Sequence, residues 1–338
     1  MTEKSVREYV LEIDHMNKLK KILFLKYLKG IGKSFIYNKY WNQLRNSNSL
    51  EEIVKGIRYV TKVSESDIET ALRKTEDQFH YLVGLKDVRI LTVLDNDYPE
   101  KLKVMEDKRP LLLYVKGNVE ALNKPGIAII GTRHPSEWSQ REERLFVQSV
   151  INKSDYIVIS GLALGCDRIA HETTVREGGQ TIAVLPSGFN EITPPSHKKL
   201  ADDILNANGC IVSEYEPNEK PNNGSFIERD AVVAALSDIT FSMECGMKSG
   251  TMHALDYANE YERVVGCYLP DDRSKGDYSG NEYVINEKRA IRVSDNEALM
   301  KLFEEASDRH TSTKDEEMRQ LSLFDVGFDL AGGSTNNA

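Results

Sequence analysis

From residue 126 onward the sequence alternates short, apolar, β-branched runs with longer amphipathic stretches, and this alternation limits the fold most. The runs are "GIAIIG" (126–131), "YIVISG" (156–161), "TIAVLP" (181–186), "CIVSE" (210–214), "ITFSM" (239–243) and "RVVGCYL" (263–269). Helix-like segments fill the intervals, among them "SEWSQREERLFVQSVI" and "GTMHALDYANEY". Strands that are apolar on both faces need cover on both, and helical crossovers between them specify a parallel sheet. The expected fold class is α/β: an extended Rossmann-like, doubly wound parallel sheet over residues 86–306, with residues 86–125 as a lead-in. Residues 1–85 read as a helical domain and residues 307–338 as a polar, disorder-like tail.

With 40% hydrophobic and 29% charged residues, the 338-residue chain can bury a sizeable core. Its longest apolar runs are five or six residues, far short of a membrane span. The opening "MTEKSVREYV" lacks a signal-peptide apolar stretch, so a cytoplasmic location is expected. Cys166, Cys210, Cys245 and Cys267 show no metal-ligand or redox spacing and read as reduced, buried thiols. No metal and no cofactor is implied.

The net charge of −9 is uneven. Residues 1–60 hold twelve Lys/Arg against six Asp/Glu, with no carboxylate between His15 and Leu50, which leaves −15 on the rest. Such asymmetry points to a polyanion-facing module or to a solvated basic face. Within it, Leu19, Ile22, Leu23, Leu25 and Leu28 recur at helical spacing, Gly30-Ile31-Gly32 breaks the helix, and Phe35, Ile36 and Tyr40 resume the pattern. This is the outline of a helix-hairpin-helix. Gly30 and Gly32 would let backbone N–H groups face a phosphate, with Lys29 and Lys33 alongside. A phosphate-binding Walker loop ending in "GKS" is excluded, because Tyr27 stands where its first glycine is required.

In a doubly wound sheet, ligands bind beyond the carboxyl ends of the strands, where strand order reverses. At that edge the candidates are Arg133 after the first run, and Ser160, Gly161 and Gly165 after the second. After the fifth come Lys248, Ser249, Gly250 and Thr251, which open a helix. Small-residue turns at helix N-termini, with Arg133 and Lys248 as cations, suggest a phosphate-bearing ligand. No G-x-G-x-x-G follows the first run, and there is no nucleophile elbow, no H-E-x-x-H and no carboxylate pair at the edge. His171 reads as a packing residue and Glu214 as one that orients a loop. An enzymatic role is not expected.

These loops, in this order, resemble the DNA-processing protein A family (DprA/Smf). The resemblance runs from "VRILTVLDNDYPEKLK" and "RPLLLYVKGN" through "IAIIGTRHPSEW", "VISGLALGCDRIAH", "GGQTIAVLPSG" and "IVSEYEP" to "MKSGT", covering roughly residues 86–270. It implies a noncatalytic single-stranded-DNA binder that loads the RecA recombinase in recombination or transformation, usually as a homodimer. The sequence departs from the family at its F-P-x-R-N-R segment, here Phe226-Ile227-Glu228-Arg229-Asp230-Ala231, where Arg229 remains and Asp230 and Ala231 replace Asn and Arg. Such losses shallow the salt dependence of binding. The G-x-D-x-x-Y-P stretch keeps only Gly188 and Pro194, and the family's common C-terminal winged-helix-like module is not evident. The eroded segment keeps open a second expectation, a noncatalytic sensor of a nucleotide or other phosphate ligand. Nucleotide hydrolysis, as in the similar lysine-decarboxylase-like proteins, is not expected: Ser249-Gly250-Thr251 lacks the following glutamate.

The tail carries "QLSLF", in which Gln320, Leu321, Leu323 and Phe324 resemble the pentapeptide by which bacterial replication and repair proteins hold the DNA polymerase sliding clamp. Gln320 would bond at a rim while the three apolar side chains fill a pocket. About thirteen linker residues give a reach of roughly 20 Å. The competing expectation is that Leu323 and Phe324 fold back over the sheet domain.

Overall fold

The computed structural model describes residues 3–309 apart from Lys288, with side chains from residue 11 onward. The tail peptide Gln320–Phe324 lies outside the described residues. All six apolar runs form strands. With two earlier ones and one later, the strands are β1 (Val88–Thr92), β2 (Leu112–Gly117), β3 (Gly126–Ile130), β4 (Ile157–Ser160), β5 (Thr181–Val184), β6 (Cys210–Ser213), β7 (Ile239–Ser242), β8 (Val264–Tyr268) and β9 (Ile291–Val293).

Among the described residues these nine strands make one sheet, in the order β1-β2-β6-β5-β4-β3-β7-β8-β9. From β6 to β9 every pairing is parallel, while β2 joins β6, and β1 joins β2, antiparallel. β3 pairs with β4 on one side and with β7 on the other, so the order of winding reverses at β3. The helices of this half are α6 (Glu137–Lys153), α7 (Cys166–Arg176), α8 (Lys198–Asn206), α9 (Asn223–Leu236), α10 (Thr251–Glu260) and α11 (Ser279–Asn286). In the numbering used here they follow α1 (Glu3–Tyr27), α2 (Lys33–Phe35), α3 (Trp41–Asn46), α4 (Leu50–Val60) and α5 (Glu65–Val83).

The period-two alternation of a strand divides the core. Ala128 and Ile130 of β3 face a cluster that holds Ala231–Leu236 of α9 and Ala254, Leu255 and Ala258 of α10. Ile127 and Ile129 face the opposite cluster, with Val147 and Val150 of α6, Ala170 of α7 and Leu299, Leu302 and Phe303 from a helix over 296–309. Both faces are thus covered, which is why the runs carry no polar alternation. Caps start several helices. Ser136 accepts from Ser139 N at α6, and Asn222 and Ser225 form a capping box at α9.

The N-terminal helices have their own core of Leu19, Ile22, Leu23, Phe24, Leu28, Ile36 and Leu44, and this core continues into Ile90 of β1 and Leu112 and Tyr114 of β2. The turn expected at Gly30-Ile31-Gly32 is present, with Gly30 at φ +82°, a conformation that favours glycine. The helix after it is not uniform. A π-helical stretch, Ile36–Tyr40, separates α2 from α3. No helix among the described residues is long and apolar enough to cross a membrane.

Candidate nucleic-acid interface

At the reversal point the loops after β3, β4 and β7 meet the first turns of α9 around a cavity of about 540 Å³. Of the residues expected at this edge, Arg133, Gly161, Arg229, Ser249, Gly250 and Thr251 line it. Asn223, Phe226, Ile227, Asp167, Asp230 and His253 line it as well.

The β3 and β4 loops touch through backbone. Cys166 N donates to Thr132 O at 3.1 Å, and a Cβ added at Gly165 (φ +74°) would lie 2.3 Å from Thr132 O. Gly165 therefore shapes the wall by permitting this approach and does not line the cavity. Gly161 is required for a different reason: a Cβ there would stand 1.3 Å from Arg229 Nη1. The same loop bends through Leu162, buried at φ +57°. It is tied down by Asp167 Oδ2, which accepts from Gly161 N at 3.1 Å and Ala163 N at 3.2 Å.

Electrostatically the floor is a compensated cluster. Arg229, 6% exposed, sits between two carboxylates, with Nη1 3.7 Å from Asp167 Oδ2 and Nε 3.0 Å from Asp230 Oδ1. Its Nη1 also donates to the Val184 carbonyl at 3.4 Å. Burial pushes the Asp230 carboxyl up to about 6, against the opposing pull of Arg229. Arg133 is exposed at the rim, its guanidinium 5.3 Å from the Phe226 ring centroid, so an aromatic face and a cation are presented together. At α10, Ser249 Oγ accepts from Thr251 N at 3.2 Å, and the Met252 and His253 N–H groups bond back to Ser249 O and Gly250 O. The Gly250 N–H is left without a partner among the described residues, so this turn offers an anion fewer donors than its composition suggests.

Five expected site residues stand elsewhere. Ser160 is fully buried beneath the loop and its hydroxyl donates to Ile129 O at 2.7 Å, so it is a strut between strands. Lys248 is exposed in the β7 loop but outside the cavity lining. Gly30 borders a second, open concavity with Lys29, Lys62 and Asp67, which shares no lining residue with the reversal-point cavity. Gly32, which N-caps α2 in extended backbone, lines neither concavity. Lys33 is committed: its Nζ lies 2.8 Å from Glu214 Oε2, which burial raises and Lys33 lowers. Glu214 thereby anchors the hairpin turn to the end of β6. His171 is sealed in α7, its Nδ1 2.7 Å from the Thr181 hydroxyl. The roles of Asp167 and Phe226 were not separable in sequence. Each needs the α7 and α9 packing to reach the cavity.

The model of the DNA recombination-mediator protein A family matches residues 89–304, well over half the chain. The chain belongs to that family. A relative from Synechocystis, protein Smf, is 35% identical over 221 residues, covering 64% of this chain and 54% of the relative; the match therefore spans little more than half of the Synechocystis protein. Among solved structures, DNA processing protein A from Streptococcus pneumoniae superposes with a TM-score of 0.70 at 25% identity, covering 83% of this chain and 96% of that one. DNA processing protein A from Helicobacter pylori, a protein with a single-stranded-DNA binding mode, gives 0.56 at 28% identity over 65% of this chain and 96% of its own.

Proposed function

We propose that this protein binds single-stranded DNA across the reversal-point cavity and acts as a noncatalytic mediator of recombination or transformation. The observation that carries the reading is the convergence of Arg133, Phe226 and the Ser249–Thr251 turn on one cavity, in a member of this family. A single strand offers phosphates to Arg133, Lys248 and the Gly250 N–H, and bases to an aromatic face, which suits sequence-tolerant binding. The single-stranded-DNA binding mode of the Helicobacter pylori relative supports the assignment. Filter binding of Arg133→Ala and Lys248→Ala to single-stranded oligonucleotides tests it. Each variant should bind several-fold more weakly at moderate salt; unchanged affinity in both rejects the proposed groove.

The same reading includes a homodimer in the cytoplasm that hands DNA to the RecA recombinase, and a tail that docks on the DNA polymerase sliding clamp through Gln320, Leu321, Leu323 and Phe324. A pull-down with clamp should recover wild type and lose Leu323→Ala/Phe324→Ala. Equal recovery of both leaves the fold-back reading. A second function, a noncatalytic sensor of a nucleotide, is favoured by one observation: the cavity is large enough for a mononucleotide. Mass spectrometry of the purified protein decides between them, since a sensor co-purifies with its nucleotide while a DNA mediator arrives empty and binds DNA tightly.

A further inference from the structure

Within the cavity the one cation that faces the floor is already neutralised. Arg229 is paired by Asp167 from α7 and by Asp230 from its own helix, so the three groups together carry a net negative charge. Asp167 is fixed by two backbone N–H groups, whereas Asp230 meets Arg229 through Oδ1 and accepts no backbone N–H among the hydrogen bonds of the described residues. The side chain is 20% exposed, and it is the carboxylate whose position a ligand can feel. Around it stand Arg229 on α9, Asp167 on α7, His253 on α10 and Arg133 after β3. A phosphate drawn in by Arg133 and the α10 turn therefore meets a cluster with one carboxylate charge in excess of its single arginine, in a partly desolvated space where like charges repel far more strongly than in water.

We propose that Asp230 is the specificity-determining residue of this cavity: it sets the charge the site accepts, and entry of a DNA phosphate is accompanied by uptake of one proton at its carboxyl. The inference rests on the DNA-binding reading and adds to it a coupling between ligand and proton. Its physical basis is that an ionised Asp230 opposes the phosphate, whereas a protonated Asp230 gives up the repulsion and becomes a hydrogen-bond donor to a phosphate oxygen. Because this carboxyl is held near the upper end of the carboxylate range by burial, the coupling falls close to neutral pH.

The sign follows. Above about 6 the free site is ionised and must gain a proton to bind; below it the proton is already present. Affinity for a short oligothymidylate should therefore tighten by roughly tenfold between pH 7.5 and pH 5.5. Calorimetry of the wild-type protein at pH 7.5, in buffers of different ionisation enthalpy, should report close to one proton taken up per binding event. Asp230→Asn should bind about tenfold more tightly at pH 7.5 and lose most of the pH dependence. His253→Gln separates the other titratable group that faces the site and should keep the wild-type dependence.

Zero proton uptake by the wild type overturns the proposal without recourse to any variant. So does a pH dependence that survives in Asp230→Asn and vanishes in His253→Gln. If Arg133→Ala and Lys248→Ala weaken binding while Asp230→Asn changes nothing, the DNA groove stands and the proton coupling falls. If the wild type binds no oligonucleotide at any pH, both fall.

Discussion

His171 sits in the first turns of α7, where a histidine near a loop of small residues invites a catalytic reading. Its surroundings decide otherwise. Thr181 Oγ1 gives its own proton to the Val158 carbonyl at 2.8 Å, so the imidazole must donate from Nδ1 to that hydroxyl. Burial, with the nearby His197 and Arg229 as lesser causes, lowers the imidazole from 6.5 to about 3. The folded state therefore refuses a proton that the unfolded chain accepts. This contribution to stability is complete above about 6.5 and is lost progressively as pH falls towards 3. In urea titrations across that window, the wild type should lose stability relative to His171→Asn by up to about 1.4 kcal/mol per pH unit. Asn preserves the donor to Thr181 but carries no titrating proton; parallel stability curves for the two proteins would show that the histidine is not held neutral.

The hairpin turn at Gly30–Gly32 shows how an element can be recognised in sequence while its role is not. Its glycines, its flanking lysines and the helix before it were all legible, because periodicity and a positive φ leave local marks. The partner of Lys33 was not, since Glu214 lies 181 residues away and meets it only through the pairing of β2 with β6. Lys33→Ala should destabilise the protein by about 1–2 kcal/mol, less than a fully buried pair because Lys33 is 34% exposed to screening solvent. In an Glu214→Gln background the same change should cost under about 0.5 kcal/mol, giving a coupling near 1 kcal/mol in denaturant titrations. Additive losses would mean that the ion pair carries no coupling energy. The strands were legible for the reason the turn was: six buried runs announce themselves within a strand–helix alternation, whereas β1 and the three-residue β9, at the sheet's two edges, interleave charged residues, and β2, though apolar from Leu111 to Val115, stands before that alternation and joins the sheet antiparallel. In the candidate site, loop composition marked Arg133, Gly161 and Thr251, but could not distinguish Ser160, which points into the strand layer, from its neighbour Gly161, which faces the cavity.

Across the whole molecule, the basic character of the first 60 residues is partly offset by carboxylates of the acidic remainder and of the helical region itself. Lys18 lies 3.6 Å from Asp95, Lys20 2.8 Å from Glu76, Lys26 3.0 Å from Glu216 and Lys33 2.8 Å from Glu214. Part of the charge asymmetry of the sequence therefore goes into holding the helical region to the sheet and to itself. With a net charge of −9, the proposed DNA binding would draw on a few local cations, not on a long-range field. A short oligothymidylate should accordingly show a shallow salt dependence. If Arg133 and Lys248 supply the two principal phosphate contacts, log K against log [salt] should have a slope of roughly −1.4 for a single strand. Arg133→Ala should flatten that slope by about 0.7, and Lys248→Ala by a similar amount, whereas Lys20→Ala and Lys26→Ala should leave it unchanged. A wild-type slope of about −4 or steeper would require about six or more phosphate contacts. Those contacts would have to come from the exposed lysines of the helical region, making the hairpin turn, and not the sheet edge, the main DNA surface.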